Sequence, residues 1–132
     1  MTLQIQLRVL TGMADHARTE APRECCGLLV GQGDLIDEYI RTDNIKASEV
    51  EYEINPAQHF AAIKRTRQTG RTILGGYHSH PRSPAVPSPT DLAHAHAEFL
   101  YVIVSLREAL PDICAYRLVD GRFVSVPFTA VP

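Results

Sequence analysis

Cysteine is scarce in this sequence, and the few cysteines present argue against a disulfide framework. The 132 residues include three cysteines, an odd number, and two of them, Cys25 and Cys26, are adjacent. Neither the count nor the spacing is typical of a chain that is stapled by disulfides. We therefore expect a reducing, cytoplasmic location.

Long apolar runs and an excess of one charge are also missing. No segment reaches the apolar length of a membrane span, and the first residues lack the basic-then-apolar pattern of a signal peptide. The net charge is -2 and the sequence pI is about 6.3, so no surface for polyanions is indicated. Nucleic acid and membranes are therefore not expected as partners. No internal repeat or low-complexity tract occurs either.

What is present is the composition of an ordinary globular protein. The chain is 45% hydrophobic and 21% charged, and a chain of this length forms one core, so residues 1–132 are expected to be a single domain. The order of helical and strand patterns predicts an α/β fold in which helices flank a mixed sheet.

The local patterns also predict individual elements. Ala21-Pro22 should end the first helix, because a residue before proline avoids helical geometry, and Asp120-Gly121 is a two-residue hairpin signal. The predicted elements are a strand-like turn and amphipathic helix within 5–20, strands at 25–30 and 35–42, a short strand at 51–54, a helix from Asn55-Pro56, a strand at 71–77, a helix from 89 to about 99, a strand at 101–106, and hairpin strands at 112–119 and 122–128.

Several side chains with reactive chemistry have a simpler interpretation. The three cysteines are expected in the core, since free cysteine is among the most buried residue types. Solvated helix positions are expected for four histidines, His16, His59, His94 and His96, of which His94 is placed to share a helix face with Asp91. On the second helix, Phe60, Ala61 and Ile63 should face the core. The basic cluster after them is interpreted as charge at the helix end: Lys64, Arg65, Arg67 and Arg71.

The most informative stretch is GGYHSHPRSPAVPSPTD, residues 75–91. It places His78 and His80 two apart, and side chains two apart on an extended strand point to the same side. Asp91 adds a carboxylate, which completes a three-ligand set of the kind that binds catalytic zinc and leaves a fourth position open. Structural zinc sites are usually rich in cysteine, and this stretch has none.

A second interpretation of the same residues is local. Ser88 is a typical N-cap, Pro89 a typical first helical residue, and Asp91 the third residue of a capping box. The two interpretations are compatible, because a helix that begins at Ser88 also fixes the direction of Asp91.

The pattern resembles the JAMM (MPN+) signature of zinc isopeptidases. Its second part is matched by His78-Ser79-His80-Pro81, by Ser88, which is separated from His80 by seven residues, and by Asp91. ECCGLLVG at residues 24–31 is similar to its upstream strand, Glu-x-Cys-Gly-Leu-x-x-Gly. The resemblance covers essentially the whole chain and implies a central sheet like that of the cytidine deaminases, the JAB/MPN fold.

The resemblance also implies a role for each residue of the motif. His78, His80 and Asp91 would hold Zn²⁺, whose open position carries a water of lowered pKa. Glu24 would act as general base and then as general acid. Ser88 would donate a hydrogen bond to the developing oxyanion.

The chain is similar to the bare prokaryotic form of the family, without the insertions that grip two ubiquitins. Such forms are associated with removing residues from the C-terminus of small ubiquitin-like sulfur carriers that end in Gly-Gly. We expect the tail to lie along Gly75-Gly76, where no side chain intervenes, and to pair there as an added strand. Two alternatives remain open: a general isopeptidase of protein conjugates and a non-catalytic module with structural zinc. A DNA-repair-associated relative has a similar motif but usually an extra N-terminal DNA-binding domain, which is not expected here.

Overall fold

A computed structural model describes residues 2–95 and 99–132 of the chain. Helices and strands alternate along its first two thirds, and strands alone follow. In chain order the elements are β1 (Leu3–Gln6), α1 (Leu7–Glu20), β2 (Cys26–Gln32), β3 (Leu35–Thr42), α2 (Pro56–Gln68), β4 (Thr72–His80), α3 (Pro89–Ala93), β5 (Leu100–Ser105), β6 (Asp112–Val119), β7 (Arg122–Val126) and β8 (Phe128–Val131).

The strands form one curled, mixed sheet of eight members. Its order is β7-β6-β5-β4-β2-β3-β1-β8. The two edge strands, β7 and β8, are separated in the chain only by Pro127, so the sheet must curl until its edges nearly meet. The predicted α/β architecture is confirmed, but the last predicted strand is two strands, and β8 pairs in parallel with β1.

The centre of the sheet is β4, which lies between two partners. It runs antiparallel to β2 and parallel to β5, with His78 opposite Cys26 on one side and Ile103 on the other. All six residues of β5 are buried, as the continuous apolar run predicts for an interior strand. The last third of β4 therefore has a rigid, buried frame on both sides.

Helix α1 closes one face of the sheet. Val9, Met13 and Ala17 recur every four residues and are completely buried, in one cluster with Leu29 and Tyr77. Full burial of a side chain of this kind stabilises a fold by about 1.5–3 kcal/mol. The helix ends at Glu20, directly before Ala21-Pro22, as predicted.

His16 does not lie on the solvated face that we expected. It is 5% exposed, and its Nδ1 lies 2.7 Å from the hydroxyl oxygen of Tyr77. Tyr77 comes from β4, 61 residues away, so the local sequence gives no sign of this partner. Burial, followed by the charge of Arg41, lowers the pKa of His16 below its ordinary value.

Other local expectations also need correction. Residues 51–54 form no strand and contribute a single bridge, Asn44 to Ile54. Helix α2 begins after its N-cap Asn55 as predicted, but it buries Ala62 and Thr66 and leaves Phe60 63% exposed. Of the residues expected to face the core, Phe60 and Ala61 are exposed and Ile63 is half-buried, so α2 packs through a different face.

The remaining corrections concern the third helix and one cysteine. Helix α3 ends at Ala93, well before Phe99, and the expectation for His96 lies outside the described residues. Cys25 and Cys26 are buried as expected, whereas Cys114 is only partly buried. The Asp120-Gly121 hairpin is confirmed, with positive φ at both residues, as a type I′ turn requires. Among the described residues, no helix is long and apolar enough to cross a membrane.

Candidate metal centre

The alternation of β4 sorts its last residues onto two faces. Tyr77 and Ser79 share the face of the sheet on which α1 packs, and His78 and His80 point to the opposite face. His78 is 1% exposed and His80 is 3% exposed. Two imidazoles are therefore held side by side on a strand that is fixed by both of its neighbours.

The short helix α3 brings in the third group. Asp91 N–H donates to Ser88 Oγ at 3.1 Å, and Ser88 N–H donates to Asp91 Oδ2 at 2.8 Å. With Pro89 in the first helical turn, this is the predicted capping box. The same two hydrogen bonds aim the Asp91 carboxylate at the histidines, so the local interpretation and the ligand interpretation describe one arrangement.

Three donor atoms meet in an equilateral triangle. His78 Nε2, His80 Nε2 and Asp91 Oδ2 are each 3.2 Å from the other two. Bonds of about 2.0–2.1 Å in a tetrahedral zinc site require ligand atoms about 3.3 Å apart. The side chains present therefore fit a tetrahedrally coordinated divalent metal ion.

The electrostatics of the triangle differ between its two histidines. Burial would lower the pKa of His80, but its hydrogen bonds to Asp91 and to the carbonyl oxygen of Pro84 outweigh it and raise that pKa. Burial lowers the pKa of His78, which keeps its imidazole neutral, as a ligand must be. Burial alone would raise the pKa of Asp91, but the hydrogen bonds from the two imidazoles outweigh it and lower that pKa below its ordinary range. Asp91 is therefore an ionised carboxylate between two ring nitrogens.

The two histidines differ at their other ring nitrogen. His80 Nδ1 lies 2.8 Å from the carbonyl oxygen of Pro84, so it donates there and leaves Nε2 for the triangle. His78 Nδ1 is buried and has no hydrogen-bond partner in the described part of the chain. The imidazole of His78 instead stacks on the ring of Tyr52, with centroids 4.3 Å apart.

Glu24 reaches the same face from the start of β2. Cys26 pairs with His78, so continuing the register places Glu24 opposite His80 and on the histidine side of the sheet. The side chain is 3% exposed, and its Oε1 is buried without a hydrogen-bond partner in the part that the structure describes. Burial raises the pKa of Glu24 to about 8, with the charge of His80 opposing and that of Asp91 adding to the rise.

Two residues whose roles the sequence did not reveal, Ser79 and Asn44, hold Glu24 and the adjoining Cys25 in place. Ser79 Oγ accepts from Cys25 N–H at 2.7 Å, and Ser79 N–H donates to Cys25 O at 3.1 Å. The Asn44 side chain donates to Glu24 O at 3.0 Å. Ser79 could have been found, because it lies between the two histidines, but Asn44 and Tyr52 lie in a loop without periodicity.

Two cavities lie beside these residues. One of about 270 Å³ borders the Tyr52 ring that stacks on His78, and it is lined by Lys46, Tyr52, Glu53, Ile54, His59, Gly76, His94, Phe99 and Tyr101. The other, of about 250 Å³, is lined by Glu20, Arg23, Glu24, Asp43, Asn44 and Ala47. Glu24 thus belongs both to the surroundings of the triangle and to a cavity wall.

The expected strand pairing at Gly75-Gly76 is wrong. Both glycines already pair with β2 and β5, so neither offers a free edge. A Cβ on Gly75 would lie 2.0 Å from Leu100 O. The close approach of β5 therefore requires glycine at this position. Gly76 lines the larger cavity, but a Cβ there would lie 3.2 Å from Gly27 O.

Sequence comparisons agree with this geometry. Residues 6–119 match the family described as prokaryotic homologs of the JAB domain. A CysO-cysteine peptidase of Mycobacterium tuberculosis is 29% identical over 98% of this chain and 91% of its own length. A probable TtuB-protein conjugate cleaving protease of Thermus thermophilus is 33% identical over 96% of this chain and 82% of its own.

A solved structure extends the agreement to the fold. The solution structure of a protein from Desulfitobacterium hafniense superposes with a TM-score of 0.90 and 27% identity, covering 98% of this chain and 93% of that one. The family match spans both the upstream Glu24 strand and the histidine–aspartate stretch. This chain belongs to the prokaryotic JAB-domain family.

Proposed function

We propose that this protein is a zinc-dependent peptidase or isopeptidase. Its substrates would be small ubiquitin-like or sulfur-carrier proteins, and it would cleave the bond that follows their C-terminal Gly-Gly. The observation that carries the proposal is the 3.2 Å triangle of His78, His80 and Asp91 beside Glu24, whose Oε1 is buried without a hydrogen-bond partner among the described residues. A structural site alone would not need such a carboxyl group.

Zinc is the metal that best suits the donor set. Two imidazole nitrogens and one carboxylate oxygen in tetrahedral spacing are typical of catalytic zinc sites, which keep one position open. When bound, the ion would supply Lewis-acid chemistry, polarising the scissile carbonyl and acidifying a water molecule.

The residues of this chain would supply the proton transfers. Glu24 takes a proton from the attacking water as its oxygen bonds to the carbonyl carbon, and later delivers that proton to the nitrogen as the C–N bond breaks. Burial raises the pKa of Glu24 to about 8, so this carboxyl group can hold the proton between the two steps. Ser88 Oγ accepts from Asp91 N–H, so its own hydroxyl proton is free to donate to the carbonyl oxygen.

The relatives support the substrate class. One is named for a bond between CysO and cysteine, and another for conjugates between TtuB and proteins. Both names describe the release of a group attached to another protein. In this chain the tail of the carrier would approach through the larger cavity, where Gly76 removes one side chain from the wall beside the histidines.

We place the enzyme in the cytoplasm and treat residues 1–132 as one domain. All three cysteines are free, which suits a reducing compartment. The eight strands form one sheet that includes residues near both ends of the chain.

The test is cleavage of a ubiquitin-like carrier with a cysteine after its Gly-Gly, followed by mass spectrometry. Wild-type protein should release the cysteine, and Glu24→Gln should retain the metal and the fold while losing about 10²–10⁴-fold in rate. A metal-loaded wild-type protein that cleaves neither this carrier nor a protein conjugate would favour the non-catalytic module. A Glu24→Gln protein with a near-normal rate would remove Glu24 from the mechanism.

A further inference from the structure

The two histidines of the triangle are held by different means. A histidine that ligates a metal through one nitrogen usually donates its other N–H to an acceptor, which fixes the orientation of the ring. His80 follows this rule, with Pro84 O at 2.8 Å from its Nδ1. His78 does not, because its Nδ1 is buried without a hydrogen-bond partner in residues 2–95 and 99–132. Another contact must set the plane of the His78 imidazole.

Tyr52 makes that contact. Its ring lies nearly parallel to the His78 imidazole, with centroids 4.3 Å apart and planes inclined by 19°. His80 also lies beside His78, and its ring meets the imidazole edge-on at 5.0 Å and 62°. A stacked ring restricts rotation of the imidazole out of its plane, whereas an edge contact leaves that rotation much freer.

We infer that Tyr52 is a positioning residue, which holds the His78 imidazole in the plane of ligation by ring stacking where His80 uses a hydrogen bond. The inference rests on the proposed metal site. Tyr52 comes from the loop between β3 and α2, outside the sheet that carries His78. The metal centre therefore depends on a loop residue that is not a ligand.

The contribution of Tyr52 comes from its aromatic face and not from a charge. A tyrosine phenol, with its ordinary pKa of about 10, carries no charge at pH 7. A phenylalanine presents the same face to His78. Removing the hydroxyl group of Tyr52 should therefore leave metal binding unchanged, whereas removing its ring should weaken metal binding.

The test compares cobalt binding among variants at this position. Cobalt(II) is titrated into metal-free wild-type protein, Tyr52→Phe, Tyr52→Leu and the control Ile54→Ala, and both affinity and the visible absorption spectrum are recorded. Ile54 lies in the same loop and lines the same cavity as Tyr52, so its truncation controls for general damage there. Should the leucine variant fail to fold, Tyr52→Met replaces it, since methionine fills much of the space without an aromatic face.

We expect Tyr52→Phe and Ile54→Ala to bind cobalt within about twofold of wild type and with its spectrum. Tyr52→Leu should bind about 10–100-fold more weakly, as is typical when support of a ligand is lost, and with a changed spectrum. Wild-type affinity and spectrum in the leucine or methionine variant would overturn the inference. So would a phenylalanine variant as impaired as the leucine variant.

A further arm separates this inference from the metal site itself. If His78→Ala binds cobalt as tightly as wild type, the proposed triangle is wrong and the role of Tyr52 with it. If His78→Ala loses cobalt while Tyr52→Leu binds normally, the triangle stands and only the role of Tyr52 is wrong.

Discussion

At the scale of single residues, burial and pairing set different protonation states within the triangle. His78 is buried deeply enough that its pKa falls, so it keeps a free lone pair at neutral pH. Asp91 is buried too, yet two imidazoles and the Ser88 N–H hold it ionised. Three donors at 3.2 Å from one another are costly to bury together without a cation or a shared proton.

The first prediction concerns metal content. Protein purified without chelator should carry close to one zinc per chain, and His80→Ala should lose most of it, because two donors make a poor site. His59→Ala is the matched control, since His59 lines a cavity but is not in the triangle. Elemental analysis of the purified proteins makes the measurement. Undiminished zinc in both His78→Ala and His80→Ala would refute the ligand set.

The second prediction concerns His16, whose pKa is lowered on folding. Below about pH 6.5, the ordinary pKa of histidine, the unfolded chain binds a proton that folded His16 does not, so stability falls as pH decreases. His16→Gln removes this titration. The unfolding free energy of the variant should therefore fall less between pH 7 and pH 5 than that of the wild type. The limit for one proton is about 1.4 kcal/mol per pH unit.

Denaturant unfolding of both metal-free proteins at several pH values provides the measurement. His78 and His80 titrate in both proteins, so their contributions cancel in the difference. Parallel pH profiles for wild type and His16→Gln would contradict the assignment.

Sequence reasoning at this scale succeeded where the signal was local. The capping box of Ser88 and Asp91 and the hairpin at Asp120-Gly121 depend on residues within one turn, and both form as predicted. His16 was misjudged because its partner Tyr77 is distant in sequence and is brought near only by the docking of α1 on β4.

At the scale of elements, the loop between β3 and α2 depends on one side chain. Asn44 accepts hydrogen bonds from Lys46 N–H and Glu53 N–H and donates to the carbonyls of Glu51 and Glu24, all at 3.0 Å. These four bonds use both lone pairs and both protons of the amide. Asn44 therefore closes the loop that carries Tyr52 and ties it to the backbone of Glu24.

The third prediction tests this arrangement. Asn44→Asp keeps the two acceptors and loses both donors, so the unfolding free energy should fall by about 1–3 kcal/mol. Activity should fall with it, because Glu24 loses a backbone tether and the loop that carries Tyr52 is held less firmly. Calorimetry, turnover and zinc analysis on the same preparation make the measurement.

Asn55→Asp is a matched control for that substitution. Within residues 2–95 and 99–132 the Asn55 side chain accepts from Ala57 N–H and Gln58 N–H and donates no hydrogen bond, so aspartate preserves both of its bonds at the start of α2. Equal stability losses in the two variants would show that the donors of Asn44 do not matter.

The predicted element boundaries were wrong where tertiary contacts set the ends of the elements. Helix α3 has Asp91 as its buried residue, and Leu92 is 43% exposed, so no apolar face extends it to the length that the pattern suggested. The role of Tyr52 could not be foreseen either, because its partner His78 belongs to a distant strand.

At the scale of the whole molecule, the curled sheet brings the ends of the chain together. Strand β8 pairs in parallel with β1 over four residues, a contact that no local pattern can predict. The family motif nevertheless implied the correct architecture, because its two halves lie on neighbouring strands, β2 and β4. The two halves of the motif are far apart in sequence, and they come together only in a sheet that pairs these strands.

The last prediction concerns the size of the substrate that this small protein can bind. A stable contact with a second folded protein buries about 1,200–2,000 Å² in total, and two such contacts at once would be needed to hold a ubiquitin dimer across the triangle. The cavities beside the triangle, of about 270 and 250 Å³, are instead sized for a few residues of an extended tail and a small leaving group. We therefore expect faster cleavage of a carrier with one amino acid or a short peptide after Gly-Gly than of a ubiquitin dimer. Both substrates, incubated with wild-type and Glu24→Gln protein and followed by mass spectrometry, give the comparison, and faster cleavage of the dimer would overturn the preference.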